Sequence, residues 1–491
     1  MLQQSAEKYP AKSAIIFKDS KISYAELYER SRALAVFLAE NGLKKGERVG
    51  LLLEKTPEAI IAFLGVAAAG GVVFPVDYSQ IPVDLQFVLD LTHPSALIVA
   101  SKFQPLLSSL RVPCPDQRII VVGERAKTQY RAWQDAVSRQ SPGMPEVRIE
   151  DDDIVYLNFT SGSTGTPKGA VTTHDNIYWN TLSAVESMRL THDDVHLCMF
   201  PVFGHPHELF ARPLLLGGTM VLVEGVSPKA IVKAIHDNNV TFMMAVASIY
   251  ASMTKLDESH VPDLGTLRLA ESGGMHVVPT LALRFNQRFK IPIVPVWGST
   301  ETTGIALAKP ADGPYKPGAI GRPCPYYQVE LIDEHGKKVG AGEVGEMIVR
   351  GPGVCSGYYR DPEETTSHMK EGWVYTDDLF KRDEDGYFYF LGRKTGMMKV
   401  AGLKVFPSEI EDTISGHPDV VEAAVVKVNE ASHGEAPKAL VVLKEGSTAG
   451  TIDIMKYCEK RLARYKVPRI IEFRKELPKT PGGKVLYKAL Q

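Results

Sequence analysis

Residues 48–77 read RVGLLLEKTPEAIIAFLGVAAAGGVVFPVD, and the punctuation inside this stretch decides the class of fold. Residues 59–76 are 18 apolar, uncharged positions, enough by number alone to suggest a membrane span. The local signals point elsewhere. Thr56-Pro57-Glu58 is a helix start, with Thr as N-cap, Pro at the first helical position and an acid in the first turn. Gly70-Gly71 stops that helix. About thirteen helical residues at 1.5 Å each cover roughly 20 Å, short of a hydrocarbon core of about 30 Å. The reading is therefore a strand from Arg48-Val49 through Leu51-Leu52-Leu53, a buried helix and a buried strand over residues 72–76, with no transmembrane segment.

The same order recurs over residues 194–224, from Asp194-Val195 through HLCMF to LLLGGTMVLVE. Two strand, helix, Gly-Gly, strand units predict parallel sheets in two related α/β layers. From about residue 310 the texture changes to short alternating segments, YYQVELID, GEMIVRG and GYFYFLG, which read as a small antiparallel β region. The last hundred or so residues contain VVEAAVVKV, KALVVLK and IDIMKYCEKRLARY, where Ile454, Cys458 and Leu462 share one helical face. They predict a compact α+β unit, joined by a short hinge near Lys394-Thr395-Gly396.

Composition bounds the function. The 491 residues are 44% hydrophobic and 23% charged, an ordinary globular balance that excludes a disordered or fibrous chain. With 56 Lys+Arg against 58 Asp+Glu the net charge is -2, so overall basicity offers no nucleic-acid footprint. The start, MLQQSAEKYPAK, lacks the basic and apolar regions of a signal peptide. The cysteines, Cys114, Cys198, Cys324, Cys355 and Cys458, are odd in number and form no C-x-x-C pair. Buried free thiols in a reducing, cytoplasmic setting are expected.

The strongest chemical signal is YLNFTSGSTGTPKG at residues 156–169. An apolar strand runs into Thr160, Ser161, Gly162, Ser163, Thr164, Gly165, Thr166 and Lys168. Glycines let backbone N–H groups approach an anion, hydroxyls donate hydrogen bonds and the lysine adds charge. This predicts a polyphosphate cradle. It is not a Walker A loop, because the position five residues after Gly162 is Pro167.

This loop resembles the phosphate loop of the adenylate-forming superfamily, which comprises acyl- and aryl-CoA synthetases, peptide-synthetase adenylation domains and luciferases. Further motifs follow in order: ESGGMHVVP at 271–279, VWGSTETTG at 296–304, WVYTDDL at 373–379, GRKTGMMKVAGLKVFPSEIE at 392–411 and PKTPGGKVLYKAL at 478–490. The resemblance covers essentially the whole chain and is most like an acyl-CoA synthetase. It implies a large N-terminal adenylation domain over 1–393, built from two doubly wound α/β subdomains plus a small β-barrel. A hinge at 394–396 and a small mobile α+β C-terminal domain over 397–491 complete it.

The resemblance also implies a chemistry, activation of a carboxylic acid as acyl-AMP with release of pyrophosphate and transfer of the acyl group to coenzyme A. ATP, Mg2+ and coenzyme A are the implied cofactors. Thr160, Ser161, Gly162, Ser163, Thr164, Gly165 and Lys168 would hold the β- and γ-phosphates. Glu301 would bind Mg2+ and the Thr300 hydroxyl the α-phosphate. Gly273 and Gly274 would line the acyl and adenine pocket, with Trp297, Gly298 and Ser299 beside the adenine. Asp378 would accept the ribose hydroxyls with Arg393 close by, and Lys484 would place its ammonium between the carboxylate and the α-phosphate. Lys399 and Gly402 would belong to a loop that serves thiol transfer, the glycine leaving room for a pantetheine arm.

The chain departs from the family pattern at identifiable places. Trp297 stands where tyrosine is usual and Asp377 where glycine is usual, and the hinge shows Thr395-Gly396. In FPVFGHPHE, residues 200–208, the position of the gating histidine is Gly204 and the histidine is His205, so either the loop is shifted by one or the gate works differently. No aspartate occurs between Met199 and His207 to bind an α-ammonium, which favours a fatty, aryl or other simple acid. His192, His196, His205 and His207 have no needed role as a metal set, so no metal centre is assigned to them. The rival acceptor is the phosphopantetheine of a separate carrier protein. An oxygenase acting on the adenylate is a third reading, and a kinase would require the Walker spacing that is missing.

Overall fold

The computed structural model describes the chain except for residues 79, 81, 126, 140–142, 144, 162–166, 401–402, 431–433, 480–484 and 491, and the side chains at 160, 161, 430 and 488. Strands Arg48–Leu52 and Val72–Pro75 pair in parallel, from Arg48↔Val72 to Leu51↔Pro75, and helix Pro57–Ala68 connects them. Thr56 occupies the N-cap, but its side chain makes no capping bond, a correction to the expected start. The helix is apolar nearly all round because it packs between this sheet and helix Tyr24–Glu40. A Cβ at Gly65 would lie 2.7 Å from Leu34 Cδ2, so glycine is what allows the two helices to approach. Ile60, Ile61, Phe63 and Val66 are each at most 3% exposed, and burial of one such side chain contributes about 1.5–3 kcal/mol.

The second unit repeats the plan. Strands Val195–Cys198 and Thr219–Leu222 are parallel, with Val195↔Thr219, and the 3-10 turn Pro206–Leu209 and helix Ala211–Leu216 lie between them. Among the described residues the two units sit in separate sheets. In the seven-stranded sheet, strand Arg48–Leu52 has Val72–Pro75 on one side and Ala96–Ala100 on the other. In the nine-stranded sheet, Val195–Cys198 likewise lies between Thr219–Leu222 and Phe242–Ala245. Each sheet therefore reverses its winding beside these strands, and crevices at such reversals, outside the carboxyl ends of strands, are where doubly wound folds bind ligands.

A five-stranded antiparallel sheet over 328–393 carries the small β region, with bulges at Glu346/Ile348 and Leu379/Phe380 that curl it. Strand Val420–Glu430 and strand Gly434–Leu443 dominate the C-terminal sheet, which also takes Ile470–Phe473 in parallel. The amphipathic segment is helical only over Thr451–Glu459, shorter than its apolar spacing suggested; Ile454 and Cys458 are buried and Leu462 still packs on the same cluster. All five cysteines are free and buried. Among the described residues no helix is long and apolar enough to cross a membrane.

The lower rim of the nine-stranded sheet is tied by Asp194, which is 3% exposed. Its carboxylate accepts from Arg268 Nη2 at 2.6 Å, Thr241 Oγ1 at 2.6 Å and the Thr191 amide at 2.8 Å. Burial raises its pKa, but these bonds outweigh burial and hold the group below the usual carboxylate range. A depressed folded pKa contributes stability above the unfolded value of about 4 and loses it as pH falls. Asp194→Asn is expected to cost about 2–3 kcal/mol in urea unfolding at pH 7, and the gap to wild type is expected to narrow below about pH 4.

Candidate active site

Strand Ile293–Ser299 turns sharply into strand Gly304–Ala308, and the turn carries Thr300 and Glu301. A Cβ at Gly298 would lie 2.3 Å from the Gly304 carbonyl, so the two strands can cross this closely only at glycine. Thr302 donates from Oγ1 to the Gly304 carbonyl at 2.6 Å and accepts from the Ser299 amide at 2.9 Å, which fixes the turn. Thr300 is 8% exposed. Tyr358 donates its hydroxyl to Glu301 Oε1 at 2.6 Å, and the Cys355 amide donates to the Glu301 carbonyl at 2.8 Å.

Trp297, 9% exposed, donates its indole N–H to Asp378 Oδ2 at 2.8 Å and packs edge-on against Phe380. Asp378 and Arg393 are directly opposite in an antiparallel ladder, which sets Arg393 Nε 2.7 Å from Asp378 Oδ1. Burial pushes Asp378 up to about 6, with Arg393 and the indole N–H pulling it down and Asp377 adding to the rise. Asp377 replaces the expected glycine at φ 57, in the left-handed region that aspartate tolerates better than most residues. The bulge in this strand pair is what asks for that conformation.

Lys168 lies on strand Pro167–Thr173, and its ammonium pairs with Glu364 of helix Pro362–His368. His368 Nδ1 is 3.2 Å from Glu364, and its Nε2 is 3.7 Å from Asp377. A continuous path therefore runs from Lys168 through Glu364 and His368 to Asp377, the neighbour of Asp378. Gly273 and Gly274 follow strand Leu269–Ser272, and a Cβ at Gly273 would stand 3.1 Å from Val296 and 3.7 Å from Phe200. Two residues on, His276 Nε2 reaches Asp412 of the C-terminal helix Pro407–Ser415 at 2.8 Å. Burial lowers the His276 pKa, but Asp412 more than offsets it and the net direction is upward.

The backbones of Thr160 and Ser161 end strand Ile154–Ser161; Gly162, Ser163, Thr164, Gly165, Gly402 and Lys484 lie outside the described residues. Lys399 is not part of the cluster above, being exposed on strand Met398–Val400 with its amide on Glu435. His205 opens the turn Pro206–Leu209 and is half-buried. His207 is the buried one, 1% exposed, with Nδ1 2.9 Å from the Tyr156 hydroxyl; burial depresses its pKa to about 3. His192 stacks on Tyr9, and His196 meets Phe242 edge-on.

Sequence reasoning missed a second buried cluster. Arg212, 2% exposed, sets Nη1 2.5 Å from Glu271 and Nη2 2.8 Å from Glu208. Burial pushes both carboxyls upward against the pull of Arg212. Glu208 and Arg212 are an i, i+4 pair inside the apolar run ELFARPLLLGG, and charges in such a run are the signal that could have found them.

A family model described as AMP-binding enzyme matches residues 2–359, and one described as AMP-binding enzyme C-terminal domain matches 409–484. The chain is 31% identical to a long-chain-fatty-acid–CoA ligase of Bacillus subtilis, over 100% of this chain and 93% of that protein. It is 30% identical to an indoleacetate–CoA ligase of Aromatoleum aromaticum, over 97% and 94%. The crystal structure of the anthranilate CoA ligase AuaEII with anthranoyl-AMP superposes with a TM-score of 0.92 at 27% identity, covering 100% of this chain and 95% of that one.

Protonation of Asp378 changes the partner of the Trp297 indole. The tryptophan fluorescence is expected to shift with a midpoint near pH 6, and the shift is expected to vanish in Asp378→Asn and in Trp297→Phe.

Proposed function

The chain belongs to the family of AMP-binding enzymes, and from that premise we propose that it activates a carboxylic acid lacking an amino group as acyl-AMP and passes the acyl group to coenzyme A. It is an enzyme of the acyl-CoA synthetase kind, with ATP, Mg2+ and coenzyme A as cofactors. The observation that carries the reading is the path from Lys168 to Asp377, with Asp378, Trp297 and Arg393 at its end. Motifs some two hundred residues apart in the sequence meet in one contact chain.

A carboxylate is a poor electrophile, and attack on the α-phosphorus of ATP attaches AMP as a leaving group and releases pyrophosphate. Lys168 and the loop over 160–165 are assigned to the β- and γ-phosphates, where the ammonium exchanges Glu364 for phosphate oxygens. Asp378 is assigned to the ribose hydroxyls, as the carboxylate that prevails above about pH 6. Thr300 donates to the α-phosphate. Glu301 suits Mg2+ because it is a hard carboxylate oriented by Tyr358 and standing among hydroxyls, and that ion usually takes one or two carboxylates plus substrate phosphates. When bound, the ion offsets the repulsion between carboxylate and phosphate. Lys484 is assigned to the charge that develops between the two reactants, and His205 to the gate of the acyl pocket.

The substrate class follows from Glu208. It is the acid that follows the stretch 199–207, which has no aspartate for an α-ammonium, and its carboxylate is engaged by Arg212. That supports a fatty or aryl acid, in keeping with relatives named for a long-chain fatty acid and for indoleacetate. The five buried thiols support a reducing, cytoplasmic setting. We assign the second half-reaction to a rotation of residues 397–491 about 394–396, which brings Lys399 and Gly402 to the adenylate. Lys394–Gly396 forms a 3-10 turn between two strands, short enough to absorb the change.

With Mg-ATP, a panel of carboxylates and coenzyme A, wild type is expected to release pyrophosphate and form acyl-CoA. Lys484→Ala is expected to lose a hundredfold or more in kcat for adenylation. Release of ADP, or no loss in the variant, overturns the reading. Thr395→Pro is expected to slow thiol transfer tenfold or more while pyrophosphate release changes less; equal rates in both half-reactions sink the hinge assignment.

A further inference from the structure

Beyond the engagement of Glu208 by Arg212, the cluster of Glu208, Arg212 and Glu271 has no part in the reaction steps above, and its position in the sheet gives it one. Strand Leu269–Ser272 leads directly to Gly273, and Glu271 lies two residues earlier, on the same face as Gly273. In the ladder Glu271 stands beside Met244, which stands beside Cys198. A Cβ at Gly273 would face Val296 and Phe200, and Phe200 lies two residues beyond Cys198, so the row of Cys198, Met244 and Glu271 lies one layer below the glycine. Helix Ala211–Leu216 covers the row with Arg212, whose Nη1 is 3.4 Å from Met244 Sδ and whose guanidinium lies over the Phe242 ring at 5.7 Å. The space below Gly273 is therefore filled by a guanidinium clamped between two carboxylates, all three at most 5% exposed.

We propose that the Glu208–Arg212–Glu271 cluster is the floor of the acyl pocket and restricts the enzyme to compact acids, a short alkyl chain or a single ring; this rests on the reading of Gly273 as a wall of that pocket. Two residues of a strand span roughly 7 Å, the reach of about five methylenes. A longer hydrocarbon chain would have to displace Arg212 and leave two buried carboxylates without their counter-charge. Gly304 holds the floor from the other side, because a Cβ there would lie 2.7 Å from Glu208 Oε1.

The test is a chain-length profile. Wild type is expected to show a kcat/KM for hexadecanoate at least a hundredfold below that for hexanoate or benzoate. Non-hydrolysable acyl-sulfamoyl adenosines of the same acids, titrated by calorimetry, are expected to bind in the same order. The combined variant Glu208→Gln/Arg212→Ala/Glu271→Gln removes the guanidinium without leaving an unpaired charge. Its ratio of decanoate to hexanoate kcat/KM is expected to rise tenfold or more, with thermal unfolding checking that it folds. Hexadecanoate within tenfold of the best acid, or an unchanged ratio in the folded variant, overturns the floor while the ligase reading stands. If the analogues bind in the expected order and no acid gives pyrophosphate, the ligase reading fails and the floor stands. If no analogue binds, both are overturned.

Discussion

The hydrogen bond from the Trp297 indole to Asp378 joins two layers that share no strand. Trp297 ends the parallel run of the nine-stranded sheet, and Asp378 sits in the curled antiparallel sheet. A carboxylate at 3% exposure loses most of its hydration, and unpaired it would protonate or destabilise the fold. Here the indole N–H takes one oxygen and Arg393 stands at the other. Backbone bonds between Phe388 and the stretch Ile320-Gly321 hold the same two layers together. The nucleotide motifs that follow in sequence, around Glu301 and Arg393, are positioned by that docking.

The site is built from charges that each lean on another. Lys168 is held by Glu364 and Glu301 is oriented by Tyr358, so these groups are kept in place before a nucleotide arrives. Such contacts are replaceable, since the several oxygens of a polyphosphate offer a lysine more charge than one carboxylate does. Arg212 belongs to a different class. It is enclosed by Glu208 and Glu271 in a region without solvent, and breaking a buried pair by removing one partner costs about 3–5 kcal/mol. The first kind of pair can exchange partners at modest cost, and the second cannot. The pairing of His276 with Asp412 sets the C-terminal helix against the same crevice.

Much of the molecule was legible from residues 48–77 and their echo at 194–224, because strand, helix and glycine stops are local signals that burial leaves unchanged. The parallel pairings Arg48↔Val72 and Val195↔Thr219 appear where those signals put them. Local detail was less secure. Thr56 has the right identity for a cap yet makes no capping bond, and the helix at 451–459 stops before its apolar spacing does. Hydroxyl chemistry and periodicity state what a segment can do, while neighbours decide what it does.

The sequence by itself determined the alternation of strands and helices and the order of the family's motifs, since both are properties of short segments. Only the tertiary structure decided which charges meet. Glu271 two residues before Gly273, and Arg212 four residues after Glu208, look unremarkable in a string of letters. Packing a helix onto a sheet brings them within hydrogen-bond distance and excludes water, and in that setting the three charges hold one another in a fixed arrangement. Likewise Asp377 breaks a pattern in the sequence, and the reason it is tolerated, a bulge at positive φ, exists only in the paired strands. Sequence spacing carries what is periodic along the chain, and long-range electrostatics depends on distances that the chain sets only when it folds.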